Sequence, residues 1–406
     1  MIRKAHDIWW LKPIYLYLAL MSLVVYAYMT PFSSYQMLYR VAAKNIDMMM
    51  LFLYIFNCFI FCLGCVLVRK EHKTYMTPTI LDLQNIYNIY KWIFSLTILS
   101  YGIWFIAFAQ IHGLKSFMTI FYGTFSENTN LFHEQAGRVS GLTTMTEFGV
   151  VAAPLGVWLY YKDEIKRNKI KNQLLLLLTL AILRGLLFSE RLAFVELLVP
   201  MGVVWLKFQK YRKIYAFIPF IGIGGLLLFF GLFEYFRSWS NWYVNHYEGT
   251  FVQFTIDRVI GYYTIAVNTE SAVIQHSTPP YFPYYLMNWF TKVPLISNFW
   301  RYDSGIGYHD LLTSYGSTEF NNPGGMLIGY KDFGVLGWLI TLLMGGISTK
   351  FYYKFKNNSL SGLIMFSIII LVLLELLRHF YFSGPRGLYV LLPLIIVCIK
   401  LKKYRV

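Results

Sequence analysis

The sequence predicts an all-α polytopic integral membrane protein with about ten transmembrane helices and one large extracytoplasmic loop. Of its 406 residues 57% are hydrophobic and 14% charged, whereas soluble domains carry roughly 25% charged residues. Apolar runs near the length of about 20 residues needed to cross roughly 30 Å of hydrocarbon recur along nearly the whole chain, which leaves no stretch for a separate soluble domain. Clusters of Lys and Arg fall between every second pair of these runs, the positive-inside pattern.

The clusters also account for the net charge of +16. Segments Arg3–Lys12, Arg69–Lys91, Lys162–Lys171, Lys207–Lys213, Lys350–Lys356 and Lys400–Arg405 hold 23 basic residues against 5 acidic ones, while the rest of the chain holds 13 against 15. The excess is thus cytoplasmic, explained by topology and anionic lipid, and points to no nucleic-acid partner.

In chain order, the expected spans are Ile14–Met29, Met48–Val68, Ile89–Ile111, Leu142–Tyr161, Leu174–Phe188, Leu192–Leu206, Ile214–Phe233, Met326–Thr349, Leu360–Tyr381 and Leu388–Ile399. Both termini then lie in the cytoplasm. The basic start has no small-residue cleavage site after it, so the first run reads as an uncleaved span. Ser189, Glu190 and Arg191 leave almost no loop between two short spans. Residues 78–91 place Ile80, Leu83, Tyr87 and Tyr90 on one helical face, as a cytoplasmic interfacial helix would. Two extracytoplasmic loops are longer, 113–141 and 234–325; the second holds four Trp and seven acidic residues, a composition for a folded, partly membrane-embedded segment rather than a disordered one. Cys58, Cys62, Cys65 and Cys398 sit in apolar runs and read as packed thiols, not a redox or zinc motif. Gly222, Gly224 and Gly225 lie in an apolar span and read as helix packing.

Ionisable residues within spans cost on the order of 2.5–3.5 kcal/mol each at mid-bilayer, so their depth is informative. Glu147, Arg184, Glu190, Arg191, Glu375, Arg378, His379 and Arg386 all map to the outer half or ends of their helices, forming an outward-facing polar basin. Structural ion pairing explains individual members, since Glu375 and Arg378 share a helix face, but not the one-sidedness of the set. The large loop adds Arg237, Asp257, Arg258, Glu270, Lys292, Arg301, Asp303, His309, Asp310 and Glu319. A guanidinium fork suits phosphate and pyrophosphate oxygens, so these arginines suggest a lipid-linked phosphate ligand. Trp239, Trp242, Trp289 and Trp300 serve either as interfacial anchors or as faces on which sugars stack. His309 lies beside Asp310 and ten residues before Glu319, where a general base could deprotonate a sugar hydroxyl. Neither a metal motif nor a nucleotide loop is present, so no metal, cofactor or ATP-dependent chemistry is indicated.

This layout, with "SERLAFVELLVP" from Ser189 and "EFNNPGGMLIGYKDFGVLGWLI" from Glu319, resembles the Wzy-type oligosaccharide repeat-unit polymerases, the O-antigen and capsule polymerases related to the O-antigen ligases. The first patch is similar to a Ser/Arg patch at an outer helix end in that superfamily, and the second to the stretch that follows its large loop. The resemblance implies a glycosyltransferase in the bacterial inner membrane. It would pass a growing glycan from undecaprenyl pyrophosphate onto a fresh lipid-linked repeat, working with membrane lipids and a polysaccharide chain-length regulator. Carried over by position, Arg191 matches the arginine near the lipid pyrophosphate, with Arg258, Arg301, Arg184 and Arg386 as further ligands. His309 matches the loop histidine assigned as base in related ligases, although Asp310 stands where those ligases have Asn. Glu319 is an alternative base, and Asp332 either orients the sugar or pairs with Lys331. A lipid-linked oligosaccharide flippase and a glycan ligase are the competing expectations. A flippase needs a hydrophilic path at all depths, whereas here the polar residues sit at one end.

Overall fold

The computed structural model describes residues 8–70, 74–112, 141–188, 192–235, 239–240, 243–293 and 296–406. Nearly all of the expected loop 113–141, together with Ser189, Glu190, Arg191, Arg237 and Trp242, lies outside the described residues. Those described are helical, with isolated bridges and no sheet among them.

The helices are α1 (Pro13–Met29), α2 (Phe32–Tyr39), α3 (Met48–Leu67), α4 (Ile80–His112), α5 (Gly149–Lys162), α6 (Arg167–Phe188) and α7 (Leu192–Phe208), then α8 (Ile218–Glu234), α9 (Phe251–His276), α10 (Tyr308–Tyr315), α11 (Trp338–Lys356), α12 (Leu360–Glu375) and α13 (Pro385–Leu401). A helical turn at Ile328–Phe333 leads into α11. Local chemistry sets several starts. Pro13 occupies the first turn of α1, where its missing N–H costs nothing. Side chains of Asp47, Thr250 and Ser359 accept from the amides of Met50, Gln253 and Gly362, capping α3, α9 and α12.

Four segments are long and apolar enough to cross a membrane, namely Met48–Leu67, Ile80–Gln110, Lys213–Leu232 and Ile328–Lys356, while Pro13–Met29 and Leu360–Glu375 are apolar but shorter. They point to a multi-pass membrane protein. Helices α5, α6, α7 and α13 occupy the other stretches expected as spans.

Two stretches differ from the sequence reading. Residues 78–91 do not form a helix of their own but begin the 33-residue α4. Thr79 and Asp82 cap each other's amides at its start, and no Pro or Gly interrupts the helix before Gly102, so nothing separates an interfacial piece from a span. Within 234–325, read as a loop, α9 runs for 26 residues and buries Asn268, Thr269, Glu270 and Ser271 completely. It packs on α1 and α8; its polar residues disguise it as loop, but they are satisfied inside the bundle.

Helices α5 and α12 form the centre, buried almost all round. Around them the links collect at two ends. One end holds the turns after α3, α5, α7 and α11; the C-terminus straps it, with Tyr404 donating to Asp82 at 2.6 Å, and Lys207 of α7 donates to the Phe355 carbonyl of α11 at 2.6 Å. The other end holds α2, α9, α10 and the links after α1, α6, α8 and α12.

Glycines also sort unexpectedly. A Cβ at Gly222, Gly224 or Gly225 would meet nothing within 4 Å, so these glycines pack against no other helix among the described residues; α8 leans on the bundle mainly through α9, with Phe229 against Phe194 of α7, and exposes Phe220, Ile221 and Leu228. The close helix contact is at Gly64 and Gly345, where a Cβ would run into the carbonyls of Leu342 and Phe61. The Cys65 thiol donates to the Gly345 carbonyl across this seam at 3.4 Å.

Candidate functional site

Arginines paired with carboxylates gather at the end that carries α9 and α10. Arg258, on the second turn of α9, is 2% exposed. Its Nε lies 3.4 Å from Glu234 at the end of α8, and its Nη1 lies 2.7 Å from Glu319. Tyr243 donates to the other oxygen of Glu319 at 3.1 Å, and Phe320 packs on the guanidinium at 4.5 Å. Burial, opposed by the neighbouring Arg258, pushes the Tyr243 phenol up to about 12, so it stays a hydrogen-bond donor to Glu319. Glu319 alone of this trio of ionised groups keeps appreciable exposure, 29% of its side chain.

A second group joins four helices. Arg184 of α6 lies 3.1 Å from Glu147, which precedes α5, and donates to Thr146 at 2.7 Å. Arg386, at the start of α13, is 3.7 Å both from Glu147 and from Glu196 of α7. The carboxylates are 2% and 1% exposed, while the Arg386 side chain is 28% exposed. The acids therefore fix a guanidinium that still meets solvent.

Between these groups, Arg378 pairs with Glu375 at 2.7 Å, and His379 Nδ1 is 4.0 Å from the same carboxylate. Arg378 lies over the Tyr262 ring, whose edge meets Phe320 at 5.1 Å. A continuous chain of contacts thus runs from Arg258 through Phe320 and Tyr262 to Arg378. Gly324, with φ of 65°, donates its amide to the Arg378 carbonyl at 2.9 Å; only glycine suits that conformation where a Cβ would strike Glu270. Glu270 is buried against Lys331 at 3.1 Å and accepts from Tyr54 at 3.0 Å.

The structure brings Arg184 and Arg386 together, and Arg258 with Glu319. It does not add Arg301 or His309 to either group. Arg301 is exposed and donates to Asn298 at 3.1 Å, and the exposed His309 side chain makes no hydrogen bond or ion pair among the described residues. Arg191 lies outside them. Asp332 is fully buried and accepts from the amides of Tyr285 and Leu286 at 2.7 and 2.8 Å. It anchors the 281–286 turn rather than Lys331, whose ammonium is taken by Glu270 and by the carbonyls of Pro323 and Gly324.

Glu196, Glu234 and Tyr243 were not singled out by the sequence. A lone carboxylate in an apolar helix such as α7 was the available signal for Glu196. Glu234 and Tyr243 lie at the start of the stretch read as loop and gain meaning only from Arg258. No family model, curated protein or solved structure matches the chain.

Proposed function

We propose that the chain is a membrane glycosyltransferase that polymerises lipid-pyrophosphate-linked oligosaccharide repeats by block transfer, at the outer leaflet of a bacterial inner membrane. The observation that carries this reading is the band of Arg184, Arg258, Arg378 and Arg386, each held by a carboxylate and all at the end away from the lysine clusters. Guanidinium groups fixed before a ligand arrives lose little freedom on binding it, and their forks match the oxygens of a pyrophosphate. Arg386 and Arg378 keep 28% and 19% of their side chains exposed, so they are the groups offered to the leaving pyrophosphate. Arg258 is spent on Glu234 and Glu319; its role is to position Glu319.

In the transfer, Glu319 accepts the proton of the acceptor sugar's hydroxyl. The freed oxygen bonds to the donor's anomeric carbon, the carbon–oxygen bond to pyrophosphate breaks, and the lipid pyrophosphate departs with its charge met by Arg386 and Arg378. His309, exposed and unoriented, is not assigned the base role.

The test is purified protein in liposomes, given an undecaprenyl-pyrophosphate-linked repeat without nucleotide sugar, metal or ATP. A ladder of products spaced by whole repeats is expected. Glu319→Gln and Arg386→Ala should each lower the rate about 100-fold or more, whereas Arg301→Ala and His309→Ala should leave it near wild type. Movement of the lipid-linked repeat across the bilayer without a ladder would overturn the proposal in favour of a flippase.

A further inference from the structure

The opposite end carries a different arrangement. Where α3 and α11 finish, their seam opens into a cavity of about 270 Å³ lined by Val68, Arg69, Tyr75, Lys350, Tyr353 and Lys354. The helices touch backbone to backbone at Gly64 and Gly345, little more than one turn away, which fixes where Arg69 and Lys350 stand relative to each other. Both are exposed and make no ion pair among the described residues.

The described acids of this end are committed elsewhere. Asp82 accepts from Tyr404 and Thr79, Asp163 lies 3.7 Å from Lys166, and Glu164 lies 3.6 Å from Arg167. Lys70 adds a further cation 6.0 Å from the Tyr353 ring. The same two helices expose Val66 and Leu67 on α3 and Leu343 and Ile347 on α11, all within two turns of the cavity.

We propose that this seam binds the phosphate of an anionic phospholipid. Arg69 and Lys350 take the head group, the tyrosines line its glycerol side, and the acyl chains lie along the exposed aliphatic residues. A basic recess between membrane helices, at the level where a headgroup ends and hydrocarbon begins, supplies both halves of an amphiphile's requirements. A free phosphate would use only the first half, and this assignment is independent of the catalytic reading above.

The experiment titrates the purified full-length chain in detergent with phosphatidylglycerol or phosphatidylcholine, following bound lipid by native mass spectrometry. Phosphatidylglycerol should bind preferentially. Arg69→Gln with Lys350→Gln should cut that preference about thirtyfold, from roughly 1 kcal/mol per basic residue at the surface. Lys400→Gln with Lys402→Gln removes equal charge from the same end and should leave the preference in place. Equal loss in the two double variants would mean diffuse attraction rather than a site. That result, equal binding of the two lipids, or displacement of the lipid by inorganic phosphate would each overturn the proposal.

Discussion

Arg258 and Lys350 carry the same charge in opposite surroundings. The first is 2% exposed, 2.7 Å from Glu319 and 3.4 Å from Glu234; the second is exposed at the far end of the bundle, with no ion pair among the described residues. Around Arg258 the charges are part of the structure, since helices α8 and α9 and the segment at Glu319 meet through them. Around Lys350 the structure is held by backbone contact at Gly64 and Gly345, and the charges are left for whatever lies beyond the protein. Arg258 is therefore spent on geometry, while Lys350 is kept available.

The widest gap between the ends should appear on deleting each cation. Arg258→Met removes the guanidinium that lies 3.4 Å from the fully buried Glu234, and breaking a buried ion pair by removing one partner costs about 3–5 kcal/mol. Lys350→Met strands nothing and should stay within about 0.5 kcal/mol. Thermal unfolding of the two variants in the same detergent measures the difference; equal shifts would break the comparison.

Packing at the basic end can be challenged in turn. Gly64→Val drives a side chain into the Leu342 carbonyl and should cost about 1–3 kcal/mol through overpacking. Gly224→Val, on the open face of α8, should be close to neutral by the same measurement. A neutral Gly64→Val would mean that α3 and α11 slide apart freely, so that backbone contact does not hold this end.

The sequence made the helices legible because hydrocarbon-length apolar runs and alternating lysine clusters are local signals. It also placed Arg184, Arg378 and Arg386 at one end, since their depth along each helix is a matter of counting. What it could not provide was partnership. Glu196 meets Arg386 only because α7 and α13 both pack on α5 and α12, and Glu234 meets Arg258 only because α8 and α9 pack side by side. Helix α9 was hidden for a related reason. Asn268, Glu270 and Ser271 make it polar, and a polar stretch looks like loop until Tyr54, Lys331 and Ala43 are seen to satisfy it. Asp332 shows the limit of adjacency: Lys331 precedes it in sequence, yet the lysine and the aspartate serve different partners.

The smallest expected effect separates the two ends through one chemical change made twice. Tyr54 donates to Glu270 at 3.0 Å, where the carboxylate is fully buried; Tyr404 donates to Asp82 at 2.6 Å, where the carboxylate is half-buried and also takes bonds from Thr79. Removing the hydroxyl at Tyr54 leaves a charged oxygen that water does not reach, so Tyr54→Phe should cost about 2 kcal/mol. At Tyr404 solvent can take the vacated position, and Tyr404→Phe should cost about 0.5 kcal/mol. Denaturant unfolding of the two variants would resolve a difference of this size. Were Tyr404→Phe the costlier change, the C-terminal strap would be holding the basic end through its hydrogen bonds, and that end too would be using its polar groups for structure rather than keeping them for the bilayer.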